Sequence, residues 1–254
     1  MKKLLSHFLV LAASAGISSA ASISVNFNSD REAGAELAPG EAAGAPGYIT
    51  AGWNNFNGLP ASPATSPITD NTAGVDSPNA GTLSNNSGTP VATTITWTGN
   101  NSWNTNNGIT NPDNKLMNGY LDNNATNAAS IGIAGVPYAQ YSVVAYFGSD
   151  GNDRTGTVGL TGSATYSFRT FSQQAGNFPS IYQQTTDTGP ALATSPQANY
   201  AVWNNLTSPN FTLALTRGSN NSGFHGFQII EIPEPSLTML LGICSGAFFL
   251  RRRR

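Results

Sequence analysis

The densest run of oxygen-bearing side chains in this sequence is Gly148-Ser149-Asp150-Gly151-Asn152-Asp153. Two carboxylates and an amide oxygen on a tight turn are the hard ligands that Ca²⁺ takes. Asp122, in Asp122-Asn123-Asn124, offers a further carboxylate from a second loop. Asp150, Asn152, Asp153 and Asp122 are therefore candidate ligands for a Ca²⁺ ion, and no other cofactor is indicated. The run lacks the ligand spacing and terminal Glu of an EF-hand loop. A plain hairpin turn, with Asp-Gly supplying a positive φ, is the alternative.

Aromatic faces suggest a second chemistry, because an indole stacks on the apolar face of a pyranose while its N–H stays available for a polar partner. Of the four tryptophans, Trp53, Trp103 and Trp203 adjoin Asn or Ser, whereas Trp97 alternates with Ile95 and reads as core. Trp53 and Trp103 are the candidate sugar-binding residues. Catalytic sets are harder to find. His225 is the one histidine beyond the leader, and no G-x-S-x-G turn accompanies it. Glycoside hydrolysis needs two carboxyl groups about 5–10 Å apart. Glu32, Glu36 and Glu41 lie in an Ala/Gly-rich stretch, Glu231 and Glu234 lie by the tail, and the aspartates lie in turns. No catalytic residue is assigned, and a non-enzymatic protein is expected.

The elements that would position these groups are strands. Residues 23–28 (ISVNFN) and 93–98 (TTITWT) alternate apolar and polar, and residues 141–147 (YSVVAYF) form the nearly continuous apolar run of a central strand. Further strands are predicted over 130–133, 155–160, 165–171, 200–204, 211–216 and 224–232. Turn residues such as Asn118-Gly119 and Asp150-Gly151 separate them. Residues 58–90 hold five prolines and almost no large apolar side chain, which predicts a long irregular excursion with room for one brief strand. No amphipathic helix stands out. The fold class expected is all-β, an antiparallel β-sandwich over residues 22–232.

Composition fits an exported protein. Only 9% of residues are charged, and 39% are hydrophobic, enough for a sizeable core. Between Ser22 and Pro235 five basic residues stand against thirteen acidic ones, a net of −8, which argues against nucleic-acid binding. The single cysteine, Cys244, lies in the apolar tail, so the domain has no disulfide framework.

The two ends carry the clearest signals. Lys2 and Lys3 precede an apolar stretch, and Ser18-Ser19-Ala20 supplies the small residues signal peptidase requires, with cleavage after Ala20 or Ala21. Residues 1–21 are read as a signal peptide with a short helix. At the other end Pro233-Glu234-Pro235 precedes fourteen uncharged residues (237–250) and then Arg251, Arg252, Arg253 and Arg254. Two prolines cannot continue a helix upstream, so a helix begins after Pro235. Its rise over fourteen residues is about 21 Å, short of the ~30 Å hydrocarbon core. The arginines stay cytoplasmic and leave the domain outside.

This ending closely resembles the PEP-CTERM sorting signal of Gram-negative bacteria that make extracellular polysaccharide. The resemblance covers residues 233–254. It implies processing near Pro233-Glu234-Pro235 by an exosortase, export across the inner membrane, anchoring there, and then residence at the cell surface or in the matrix.

The domain also resembles an uncharacterised exported domain of planctomycete and verrucomicrobial surface proteins. The resemblance lies in Asn26-Phe27, Trp53-Asn54-Asn55, the K-L-M-x-G-Y-L-D segment from Lys115 to Asp122, the Y-x-V-x-x-Y segment from Tyr141 to Tyr146, and Gly226-Phe227 with Ile229-Ile230. It implies a jelly-roll sandwich like the galactose-binding-like and carbohydrate-binding modules. The expected function is adhesion, with extracellular polysaccharide as a partner. A glycan-active hydrolase and a purely structural surface protein are the alternatives.

Overall fold

The computed structural model describes residues 20–28, 35–56, 68–70, 83–171 and 181–234. Ala21–Ile232 is one compact unit. The signal helix, the tail span 237–250 and the arginines at 251–254 lie outside the described residues, as does most of the proline-rich excursion. No helix among the described residues is long and apolar enough to cross a membrane.

The strands in chain order are β1 (Ser22–Phe27), β2 (Asn54–Phe56), β3 (Ile68–Asp70), β4 (Thr94–Gly99), β5 (Asn101–Asn104), β6 (Gly119–Asp122), β7 (Ala129–Ala134), β8 (Tyr141–Gly148), β9 (Thr155–Leu160), β10 (Thr165–Arg169), β11 (Tyr200–Leu206), β12 (Asn210–Arg217) and β13 (Gly223–Glu231). One short helix, α1 (Pro112–Leu116), precedes β6. Its N-cap Asn111 accepts from the Asn114 N–H, and Pro112 occupies the first turn, where no donor is needed.

The chain is an all-β sandwich of two sheets. In the first the order is β11-β8-β13-β1-β2, with β6 pairing β13 and β5 pairing β6. In the second it is β10-β9-β12-β7-β4-β3. Among the described residues every strand–strand ladder is antiparallel except β1 with β2. Side-chain alternation explains the core. Ile23, Val25 and Phe27 of β1, Val143, Ala145 and Phe147 of β8, and Phe227 and Ile229 of β13 point inward. They meet Ile95 and Trp97 of β4, Ile131 and Ile133 of β7, and Leu213 and Leu215 of β12. Trp97 packs edge-on against Phe56, with centroids 4.7 Å apart.

The sheets differ in their outer faces. The second keeps one face to solvent, so β12 reads as strict alternation of buried and open positions. The first is covered on both faces, which is why β8 is nearly continuously apolar and buried along its whole length. Val144 and Tyr146 of β8 and Val202 of β11 point outward into a second layer formed by Leu37, Ala45, Trp53, Leu116 and Met117. Tyr146 is pinned there: its hydroxyl donates to Gln228 Oε1 at 2.6 Å and accepts from the Ala45 N–H at 3.1 Å.

That outer layer corrects one expectation. Trp53 is only 2% exposed and lies edge-on to Tyr146, its indole N–H donating to the Thr50 carbonyl. No face is left for a sugar. A second correction concerns the 148–154 segment, which is not a hairpin turn. Strand β8 belongs to the first sheet and β9 to the second, so the segment carries the chain across the sandwich. The left-handed residue in it is Asp153 (φ 56°) rather than Gly151.

Candidate functional site

The candidate site is assembled on the edge pair β5–β6. In an antiparallel pair residues two apart share a face, and partners across the ladder have Cβ atoms about 4.5–5.5 Å apart. Asn101 pairs with Asp122, and Trp103 with Tyr120, which sets four side chains on one face. Two loops close over this face. The segment after β8 brings Asp150 and Arg154, and the segment before β13 brings Asn220 and Asn221. Together they enclose a pocket of about 240 Å³.

Two glycines make the assembly possible by close approach rather than by turn geometry. Gly223 lies opposite Asp122 in the β6–β13 pair, and a Cβ there would overlap the Leu121 carbonyl and the Tyr120 ring. At Gly151 a Cβ would come within 2.5 Å of Arg154 Nε, so the glycine leaves the guanidinium its place.

Inside the pocket Arg154 is held through Nη1. Its Nη1 lies 2.6 Å from Asp150 Oδ1 and donates to the Asn221 carbonyl at 2.9 Å. The Tyr120 hydroxyl also donates to Asp150 Oδ1, at 3.2 Å. Burial, with the Asp122 and Asp150 charges close by, holds that phenol well above its ordinary pKa, so it remains a neutral donor. Asp122 differs from Asp150. It is 5% exposed, and Asn221 Nδ2 donates to its Oδ2 at 3.2 Å. Its Oδ1 has no protein partner, and neither does Oδ1 of Asn101, which is 6% exposed. Burial is the main cause that pushes the Asp122 carboxyl up to about 7. The Asn221 hydrogen bond and the Arg154 charge oppose the rise, and the Asp150 charge adds to it.

Behind the pocket His225 is fully buried, with its ring edge-on to Tyr120. Its Nδ1 is 2.7 Å from the Gly119 carbonyl, which can only accept, so the proton sits on Nδ1. The Nε2 has no partner, and burial pushes the imidazole down to about 4. His225 is thus a structural group beneath the β6 backbone.

The candidate calcium ligands do not converge. Asp150 turns to Tyr120 and Arg154, whereas Asp153 ion-pairs with Arg169 at 2.8 Å, and Asn152 donates to Asp153 Oδ2 and accepts from Gln197. Asn123 spends its amide on Ser222 and Leu215, and Asn124 caps the turn at Thr126 and Asn127. Two arginines thus divide the carboxylates of the 150–153 run between opposite neighbours. Among the described residues no three His, Cys, Asp or Glu side chains group as a metal site requires.

Of the residues singled out from the sequence, Trp103, Asp122 and Asp150 come together here. Asn101, Tyr120, Arg154, Asn220 and Asn221 were missed. Asn101 was within reach, since it stands two residues before Trp103 and any strand through Trp103 places both on one face. A larger open groove of about 370 Å³ lies on the outer face of the second sheet, over Thr94, Thr96, Gly132 and Thr212. It carries hydroxyl, amide and apolar groups and no titratable side chain, so it is the poorer place for chemistry. No protein-family model, curated protein or solved structure matches this chain.

Proposed function

We propose that the chain is an exported envelope protein whose sandwich is a non-catalytic adhesive module binding extracellular polysaccharide. The observation that carries the binding half is the pocket: Trp103 and Tyr120 line it together with the amide side chains of Asn101, Asn220 and Asn221. Strand β1 pairs with the last strand, and from β7 onward the chain repeatedly changes sheet, which supports a jelly-roll-like arrangement of the kind used by carbohydrate-binding modules. The delivery half rests on the two ends. Signal peptidase cuts at Ala20 or Ala21. An exosortase then recognises Pro233, Glu234 and Pro235, while the four arginines hold the tail in the inner membrane until processing.

Affinity electrophoresis through extracellular polysaccharide tests the binding half. Wild type is retarded, and Trp103→Ala migrates freely. Equal retardation of both places the binding surface elsewhere, and none for either leaves a purely structural protein. Replacing Pro233, Glu234 and Pro235 together with Ala tests delivery: export persists and tail processing stops. Wild-type gel mobility of that variant sinks the sorting assignment.

One observation favours a second reading. Asp122, held near neutrality, and Asp150 line one pocket, which is the division of roles a glycosidase acid and its partner need. Against this, Asp150 is committed to Arg154 and Tyr120. Release of reducing ends from polysaccharide, lost in Asp122→Asn, would establish hydrolysis.

A further inference from the structure

We propose that Asp122 and Asn101 form a proton-operated switch in the wall of the Trp103 pocket. With its carboxyl protonated, Asp122 donates from Oδ1 to Asn101 Oδ1. Without that proton it accepts from Asn101 Nδ2, and the amide turns over. The switch itself stands on the structure alone, while its effect on a ligand rests on the polysaccharide-binding reading.

The pairing follows from the ladder. Asn101 of β5 and Asp122 of β6 are direct partners, so their Cβ atoms lie about 4.5–5.5 Å apart on one face. Each turns its Oδ1 inward, closed to solvent and without a donor among the described residues. Two acceptors side by side repel, and a buried oxygen left unpaired is costly. A single proton on Asp122 removes both deficits, because a neutral carboxyl is a donor as well as an acceptor.

The neighbouring donors are committed elsewhere. Beside Asp122 stand Tyr120 on β6, Asp150 and Arg154 on the segment after β8, and Asn221 before β13. Gly223 of β13, opposite Asp122, brings no side chain. Tyr120 donates to Asp150, Arg154 pairs with Asp150 and donates to the Asn221 carbonyl, and Asn221 donates to the other Asp122 oxygen. Burial is the main cause that lifts the Asp122 carboxyl to about 7, so its proton is gained and lost around neutral pH.

The amide is the moving part. Asn101 lines the pocket, and with Oδ1 turned inward the polar end it can present there is Nδ2, a donor. A carboxylate has no proton to give and repels Oδ1, whereas Nδ2 meets it with a charge-assisted bond. The terminal torsion of an asparagine is broad and roughly two-fold, so the two ends exchange without backbone movement. As pH rises through 7 the pocket wall comes to show an acceptor where it showed a donor.

Nuclear magnetic resonance of the full chain in detergent tests the switch, with ¹³C,¹⁵N-labelled asparagine and ¹³C-labelled aspartate titrated from pH 5 to 9. The Asp122 carboxyl carbon and the Asn101 side-chain amide titrate with one midpoint near 7. Exchange of the Asn101 Nδ2 protons with water slows as pH rises, against the base-catalysed trend of the other asparagines. In Asp122→Asn the new amide donates to Asn101 Oδ1 at every pH, and Asn101 keeps its low-pH signal throughout. An Asp122 carboxyl that does not titrate in this range, or an Asn101 amide indifferent to it, overturns the switch. If Asp122→Asn folds poorly, the wild-type midpoints decide alone. Affinity electrophoresis through extracellular polysaccharide at pH 6 and pH 8 tests the consequence. Wild-type affinity falls about two- to tenfold at the higher pH, the worth of one neutral hydrogen bond, and Asp122→Asn keeps its pH 6 value. Equal retardation of wild type at both values overturns control of binding by the switch. No retardation at either value sinks the polysaccharide reading and leaves the switch to the resonance titration.

Discussion

Asn101 and Asp122 face each other across the β5–β6 pair, 21 positions apart in the chain, and each presents a buried side-chain oxygen that no protein group satisfies. The arrangement depends on what lies on the far side of Asp122. There Gly223 lets β13 approach β6 with no side chain between them. The pocket wall and the β6–β13 packing therefore meet at one strand end.

Gly223→Ala is expected to destabilise the fold and open the pocket. The new methyl group has to displace backbone at Leu121 as well as the Tyr120 ring, so relief by a flexible side chain is not available. Overpacking of this kind costs about 1–3 kcal/mol, or a fall of several degrees in melting temperature for a domain this size. Retardation in polysaccharide should fall with it. An unchanged melting temperature would show that β6 and β13 are not packed as described.

Two buried groups should pull stability in opposite directions as pH changes. The folded His225 titrates near 4 and an unfolded histidine near 6.5, so between these values only the unfolded chain binds the proton. Stability from this group rises with pH across that window. Asp122 titrates near 7 when folded and at about 3.9 when unfolded, so only the folded chain holds its proton in between. Its contribution is present at low pH and is lost as pH rises through 7. Melting temperature is measured against pH for Asp122→Asn and His225→Asn and compared with wild type. The difference, variant minus wild type, rises with pH for Asp122→Asn and falls for His225→Asn. Flat differences would mean that neither group is desolvated.

Calcium should leave the melting temperature unchanged. Asp150 and Asp153 are each neutralised by an arginine, and their carboxylates point to different neighbours. Metal bound to the native state alone at a ~10⁻⁵ M site would add about 2.7 kcal/mol at millimolar calcium. Melting in calcium and then in EDTA decides the matter, and a shift of several degrees would restore a metal site to this domain.

Signal cleavage is expected after Ala20 rather than after Ala21. The Ala21 carbonyl accepts from the Glu231 N–H at 2.8 Å, and the Ala21 nitrogen lies 3.4 Å from Glu231 Oε2. Cutting before Ala21 keeps that backbone bond and turns the nitrogen into an ammonium facing a carboxylate, whereas cutting after it discards both. Mass spectrometry of the mature N-terminus reads the site directly. Glu231→Gln should lower the stability of the mature form by up to about 1 kcal/mol, as for an exposed ion pair. A mature chain that begins at Ser22 would refute the assignment.

Local pattern alone determined a good deal of this protein. The strands with strict alternation are legible because the period of two is a property of the backbone: Ile23, Val25 and Phe27 had to share one face wherever β1 was placed. The leader and the Pro-Glu-Pro tail that we propose rest on charge and hydrophobicity that act within a few residues. Only the tertiary structure decided the rest. Strands β5 (NSWN) and β6 (GYLD) are four residues each, too short to show a clear alternating pattern, and an antiparallel register with each other and with β13 supplies their hydrogen bonds. Trp53 and Trp103 have similar neighbours in sequence, but an outer layer covers the first and a pocket admits the second. The carboxylates of the 150–153 run look like one ligand set until Arg154 and Arg169, fixed by strands in register elsewhere, draw them apart. Side-chain partners set by register between distant segments leave no local trace, and the site depends on such partners.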